Sequence, residues 1–496
     1  MKRVFIVCAL SLLLLAGVVV YRSAAVPQPA YLEIAPVNPG VAVDTGKMAQ
    51  RLSRAIQIQT VSHQQAAKRQ SPEFLRFHAF LRDTYPLLHQ TLQRQTINQL
   101  SLLYHWQGSD PSLEPILLVA HYDTVPVIAG SESQWAQAPY SGAIEDGYVW
   151  GRGTLDDKGT IIAHLETIEQ LLYEGFQPAR SIYLAYGHDE EIGGQQGAQK
   201  ISEHLQSRGL RFSLVLDEGS IIAAPGLIPG VDRPVAMLGH AEKGYLTLKL
   251  TASDKGGHSS MPPLHTAAGR IAAAVTRLEA QQLPASLEHS ADFFTALMPF
   301  LPFTQRLFLA NRWLFEPLLL WQMQQQPELN ATLRTTTAVT MLAASPKENV
   351  LPIEASAVVN FRILPGETTA TTIAHTRRAV DDSSIAINPL GHGLEPSPQA
   401  SIDGYGYSLL QRSARESWRD NSLVVAPRLV LVTTDTRHYH NVSDQVYRFM
   451  PSALEFDDVR GIHGSNERIS LENLATMQRF YRRLILNSAR PATDMP

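Results

Sequence analysis

Uninterrupted apolar runs at 116–120 and 182–186, and a nearly uninterrupted one at 212–216, contrast with alternation at 246–251 and, broken only by Val358, at 355–363. A run without polar breaks fits a parallel strand buried on both faces, whereas alternation fits a strand with one wet face. The first pattern prevails from residue 47 to 240. With helical segments between the strands, it predicts an α/β unit with a mostly parallel central sheet. Ile161, Leu165, Ile168 and Leu172 mark one of those helices, which stops at Glu174 and Gly175.

The texture changes near Glu242. Leu246, Leu248 and Leu250 share one face, and a helix follows with Leu264, Ala268, Ile271, Val275 and Leu278 on one side. Ala355, Ala357, Val359, Phe361 and Ile363 line a second alternating strand, before a helical segment from about 368 to 380. Strand–helix–strand–strand–helix–strand is the split βαβ, ferredoxin-like order. Residues 241–392 are therefore expected to form an inserted α+β domain. The α/β texture resumes with a strand at 429–432, which makes the first domain discontinuous: 47–240 plus 393–496.

Within the inserted domain, 285–333 is an apolar insertion. Between Phe293 and Trp321 the charges are Arg306, Arg312 and Glu316, and Pro299, Pro302 and Pro317 rule out a straight membrane span. The stretch reads either as a buried helical insertion in the lid or as a greasy surface that meets an acyl chain or a bilayer.

The N-terminus, residues 1–22, reads as a membrane or export signal. Lys2 and Arg3 precede an uncharged stretch from Val4 to Tyr21. Its length favours an uncleaved anchor, while Ser23, Ala24 and Ala25 leave cleavage open. Basic residues at the extreme N-terminus keep that end cytoplasmic, so the body is expected to be exported, either anchored or secreted/periplasmic. Residues 23–46, with Pro27, Pro29, Pro36 and Pro39, read as a tether.

The 496 residues carry a net charge of −4 and 18% charged residues, an ordinary globular composition with no basic footprint for nucleic acid. The single cysteine, Cys8, lies in the N-terminal segment, so the body holds no disulfide, thiolate zinc site or cysteine nucleophile. Any metal site must use nitrogen and oxygen. Such donors stand at the predicted strand ends: His121 and Asp123 after the first run, Glu190 and Glu191 after the second, Asp217 after the third. Asp156 precedes a predicted helix, and His463 comes late. In an open α/β sheet, groups beyond the carboxyl ends of strands share one crevice, and His, Asp and Glu suit zinc-like ions.

These blocks carry a resemblance. His121 to Pro126, Gly151 to Gly159 and Asp189 to Gly194 resemble the signature blocks of metallopeptidase family 20, the di-zinc aminoacylases, dipeptidases and carboxypeptidases. Leu216 to Gly219, Gly256 to Ser260, Asn349 to Pro352 and His463 to Arg468 agree, in family order. The Leu-Asp-Glu-Gly block, the His463 block and the N-terminal segment most resemble the carboxypeptidase S branch, which includes N-fatty-acyl-amino-acid synthase/hydrolases.

The resemblance implies two Zn²⁺ ions, with manganese or cobalt also suited to the donors. His121 and Asp217 would hold one, Glu191 and His463 the other, and Asp156 would bridge them, with a cis Asp156–Asp157 bond. Asp123 would orient His121, and Glu190 would be the general base acting on a metal-bridged water. His258 would stabilise the oxyanion, often from a partner subunit, which makes the inserted domain a lid and dimerisation domain and a homodimer the expected assembly. Asn349 and Arg362 would grip the substrate. By alternation Arg362 lies opposite the core face of its strand, free for a carboxylate or for a surface salt bridge. Asp435, Arg437 and His438 match a further block, expected near the site. The implied substrate is a short peptide or N-acyl amino acid with a free carboxylate, hydrolysed or, by the same site, condensed. A retired scaffold would have lost a ligand, and none is missing. Neither Gly-x-Ser-x-Gly nor His-Glu-x-x-His occurs, which removes two rival hydrolase classes.

Overall fold

A computed structural model describes residues 1–37, 42–65 and 71–489 of the chain. Pro39, part of the expected tether, lies outside them. Among the described residues the main sheet is built on β1 (Gln93–Ile97), β2 (Ser101–Trp106), β3 (Ile116–His121), β4 (Ile182–Gly187), β5 (Leu214–Asp217) and β6 (Val235–Glu242). The second sheet holds β7 (Gly244–Ser253), β8 (Thr336–Ala343), β9 (Glu354–Ile363) and β10 (Ile385–Pro389), and the chain then returns to the first with β11 (Val424–Val430) and β12 (Val446–Arg448).

The spatial order β1-β2-β4-β3-β5-β12-β6, with β11 on β6, puts parallel pairs at the centre: β3 with β4 and β5, β5 with β12, β6 with β11. The apolar runs divide as continuous burial requires. Ile116, Leu118 and Ala120 enter one core, while Leu117 and Val119 enter the core on the opposite face. Burying a leucine-sized side chain stabilises by about 1.5–3 kcal/mol, so both faces hold these strands in place.

In the second sheet, the order β8-β9-β7-β10 is antiparallel throughout, with alternating burial along β7 and β9. Two helices, Ala267–Ala280 and Thr369–Val380, cover its apolar face. Thr368 starts the second with a capping box to Thr371. This is the split βαβ order. Leu264, expected on the first helix, instead precedes it and is exposed, because Thr266 is the N-cap.

Two expectations change. The helices of the apolar insertion, including Ala291–Leu297, Phe303–Leu309 and Arg312–Met323, do not pack in the lid core. Leu297, Leu301, Leu309, Leu319 and Met323 join Met237, Val424 and Ala426, on β6 and β11 of the main sheet. Residues 30–37 are also no free tether. The Tyr31 hydroxyl accepts from the Val425 N–H at 3.1 Å, and Arg415 donates to the carbonyls of Leu32 and Ile34. Apolar periodicity shows that a surface must be covered and leaves open which surface covers it.

Candidate metal centre

Because β3, β4 and β5 are parallel neighbours, their carboxyl ends abut. His121 pairs in register with Gly187, and Leu118 with Leu216 just before Asp217. His121 ends β3, Glu190 and Glu191 open a short 3₁₀ turn beyond β4, and Asp217 ends β5. Asp156 stands before the helix Lys158–Tyr173, for which Asp157 is the N-cap, and the Asp156–Asp157 bond is cis. His463 follows the short helix Phe456–Gly461 and has a left-handed backbone, φ 58°. A histidine holds that conformation only where its surroundings impose it.

The Asp156 carboxylate faces two ways. Its Oδ1 is 2.9 Å from His121 Nε2 and its Oδ2 is 2.9 Å from His463 Nε2. Glu191 Oε2 lies 3.0 Å from the same His463 nitrogen. Two sets of converging donor atoms result: His121, Asp156 and Glu218 in one, Asp156, Glu191 and His463 in the other. Glu218 is an addition to the sequence reading. Its Oε1 is 3.6 Å from His121 Nε2. Asp217 is buried alongside; its Oδ1 accepts from the Glu218 N–H, and its Oδ2 has no hydrogen-bond partner among the described residues. The imidazoles and carboxylates that converge in these two sets fit divalent cations of the zinc class, and the orphaned Asp217 oxygen is a further buried donor on the residue next to Glu218.

Asp123 ties the centre together. It lies 3.3 Å from His121 Nδ1 and accepts from the N–H groups of both Glu190 and Glu191. Glu467, quoted in the sequence only as part of a block, anchors the Asp156 loop. Its Oε1 accepts from the N–H groups of Gly153, Leu155 and Asp156, and its Oε2 pairs with buried Arg152 at 2.6 Å. Asn466 docks the His463 loop by accepting from Ala136 N and donating to the Gln134 carbonyl.

Burial dominates the electrostatics. It pushes the Glu190 carboxyl well above its ordinary value, against the opposing pull of His121. Burial also raises Glu191 to about 7, Asp217 to about 6 and Glu218 to about 8, and the Asp156 charge adds to the shift at Glu191 and Glu218. Asp156 moves down: burial opposes its charge, but hydrogen bonds from His121 and His463 outweigh it. His463, bonded first to Asp156 and then to Glu191, is raised to about 10.

A cleft of about 340 Å³ adjoins Glu191, between Ser62, His63, Val125 and Ile192. A larger one of about 1450 Å³, at the insertion, touches none of the donor residues. Asp435 and His438 lie against the Glu190 turn: His438 Nε2 is 3.1 Å from the Gly193 carbonyl, and the Asp435 carboxyl packs on Gly187 and Gly194, where a Cβ would strike it.

The substrate-gripping candidates are placed apart. His258 and Asn349 lie on an exposed ribbon, Gly257–His258 against Val350–Leu351, and among the described residues neither bonds to the donor set. His258 Nδ1 pairs with Ser260 Oγ at 2.8 Å. Arg362 is half-buried on β9, opposite the core face, with its guanidinium 4.9 Å over the Tyr245 ring. It has no ion pair among the described residues.

Comparison with known proteins settles the family. The profile of Peptidase family M20/M25/M40 matches residues 117–487. The chain belongs to peptidase family M20. Among M20 relatives, a Dictyostelium discoideum protein described as "Probable carboxypeptidase S-like 2" is 40% identical over 447 residues, 90% of this chain and 85% of that protein. The Xenopus tropicalis N-fatty-acyl-amino acid synthase/hydrolase PM20D1 is also 40% identical, over 448 residues, 89% of this chain and 86% of that protein. The crystal structure of an M20 family metallo-carboxypeptidase, Sso-CP2 from Sulfolobus solfataricus, superimposes with a TM-score of 0.65 at 17% identity, covering 89% of this chain and 99% of that one. The chain is an M20 family hydrolase, and the strand-end donors are its candidate metal centre.

Proposed function

We propose that this chain is an exported, membrane-anchored two-metal amidohydrolase that releases the amino acid from a C-terminal peptide bond or an N-acyl amino acid. The observation that carries the reading is the divided Asp156 carboxylate, one oxygen toward His121 and the other toward His463. His121 and Asp217 would hold one cation, with Glu218 as a further candidate donor; Glu191 and His463 would hold the other, and Asp156 would contribute to both. Zinc suits the donors, and manganese or cobalt would also fit. Bound there, the cations polarise the scissile carbonyl and lower the pKa of water.

The chain's own residues do the rest. Glu190 is outside both donor sets, and its raised pKa lets its carboxyl both take a proton from water and return one to the leaving amine. Asp123 fixes the His121 ring and the Glu190 backbone together. Arg362, a cation without an ion pair among the described residues, receives the substrate carboxylate, and Asn349, on the ribbon, is the second substrate-binding group. His258 arrives by lid closure or from the second subunit of a homodimer and stabilises the oxyanion.

The PM20D1 relative's name supports N-acyl amino acids with long acyl chains as one substrate class, and the same site accelerates condensation as well as hydrolysis. The test is a screen of metal-loaded protein against N-acetyl, N-lauroyl and dipeptide substrates, with a chelated control. Hydrolysis that survives chelation, or none on any substrate with a free carboxylate, overturns the proposal.

A further inference from the structure

The apolar helix Lys2–Ala24 is docked on the body at one place. Of its side chains, Val19 and Ser23 are buried, against the turn between the helices Phe303–Leu309 and Arg312–Met323. Asn311, fully buried in that turn, donates from Nδ2 to the Val19 carbonyl at 3.1 Å and to Ser23 Oγ at 3.2 Å. At 1.5 Å per residue, Val19 is about 7.5 Å below the C-terminal end of its helix. An interfacial helix sinks about 5–10 Å into the boundary between headgroups and acyl chains. If the N-terminal helix crosses a bilayer, the insertion therefore sits at interfacial depth.

The helix Arg312–Met323 has the side chains for that depth. Its inner face, with Leu319 and Met323, is packed on the main sheet. On its outer face Trp313, Leu314, Leu318 and Trp321 are exposed, at 57%, 38%, 46% and 64%. Stepping about 100° per residue, they and Pro317 fill an arc of about 140°. Glu316, Arg312 and Gln322 fall outside that arc. Tryptophan favours the membrane–water boundary, with an apolar ring and a polar N–H. An uncharged exposed stripe continuous with an apolar 23-residue helix is unlike the scattered apolar residues of an ordinary surface.

The geometry points to a membrane-embedded face: the outer stripe of Arg312–Met323 lies in the lipid surface that the N-terminal helix enters. The body is thus held against the bilayer at two points and cannot swing on a tether. This rests on the anchored reading of the N-terminal helix and not on the catalytic proposal.

Four of the six tryptophans, Trp106, Trp135, Trp150 and Trp418, are buried in the body, so the two on the stripe can be read separately. The full chain is reconstituted in vesicles of phosphatidylcholine brominated on its acyl chains, and intact mass establishes whether the N-terminal helix is retained. Brominated lipid is expected to quench the emission, and W313F/W321F to lose most of that quenching. L314S/L318S, with unchanged circular dichroism, is expected to reduce it severalfold. Absent quenching in the wild type, or quenching that survives in W313F/W321F, overturns the inference. So does an unquenched emission that shifts on dilution, which would make a second copy the occupant. If mass shows the N-terminal helix removed, the anchored reading fails, and quenching of Trp313 and Trp321 on added vesicles still decides the face itself.

Discussion

The donor cluster and the ribbon bearing His258 and Asn349 are built in opposite ways. Side chains of the cluster are held by bonds from all over the chain: Asp123 grips His121 and the Glu190 turn, and Glu467 binds a loop more than 300 residues away. The ribbon rests on two residue pairs and is exposed. Preorganisation is concentrated where charge must be stabilised, because a site that reorganises during the reaction loses the advantage of fixed dipoles. In the proposed function the ribbon receives a substrate, and a region that closes belongs to the less stable part of a fold. The proposed chemical centre is thus tightly held, and the proposed selector is not.

The sharpest way to break the comparison is within the cluster. Glu190→Ala is expected to lower kcat by about 10²–10⁴-fold or more, with metal content measured by mass spectrometry close to wild type. Co-loss of metal would make Glu190 a ligand and not the base. Next in size is Glu467→Ala, which strips three N–H groups of their acceptor and leaves Arg152 buried without its partner. Urea unfolding should show a loss of about 3–5 kcal/mol. Glu467→Gln, which keeps the shape, should lose less. A surface-like change below 1 kcal/mol would mean that the Asp156 loop holds itself.

These two residues also mark how far the sequence could be read. Glu190 was legible because strands buried on both faces read as continuous apolar runs, and a parallel sheet gathers the residues just beyond their carboxyl ends. Glu467 was visible as a letter in a block, but its work depends on a loop brought together by tertiary folding. Glu218 was likewise in view beside Asp217; that its side chain also reaches toward the His121 imidazole is decided by the backbone at the strand end. The placement of the 285–333 helices on β6 and β11, and the docking of Tyr31, were illegible for a different reason. An apolar face is non-directional and records no partner.

On the selector side, His258→Ala should reduce kcat with little change in metal content. The informative experiment mixes it with Glu190→Ala protein. If His258 acts across a subunit boundary, the mixture recovers activity that neither variant has alone, because the Glu190→Ala subunit supplies an intact histidine to its partner's intact base. If lid closure within one chain brings it in, the mixture stays inactive, and the selector is completed by motion alone.

The smallest expected effect tests the joint between the two regions. Lys243 stands between the end of β6 and the start of β7, and its Nζ donates to the carbonyls of Ala331 and Arg334. Burial pushes its pKa down to about 7, the charge of Arg362 pushes it further, and Glu367 partly opposes. An unfolded lysine titrates near 10.4. Between those values the unfolded chain binds a proton that the folded chain does not, so stability rises with pH across about 7 to 10, and the cost of the buried charge is fully present below that window. The two carbonyl acceptors offset part of the cost of the buried charge, so the rise should be about 1–2 kcal/mol. Lys243→Met should flatten it in urea melts taken at pH 7 and pH 10, leaving the Glu467 effect untouched. An unchanged slope would place the charge in water and the joint outside the buried frame that holds the cluster.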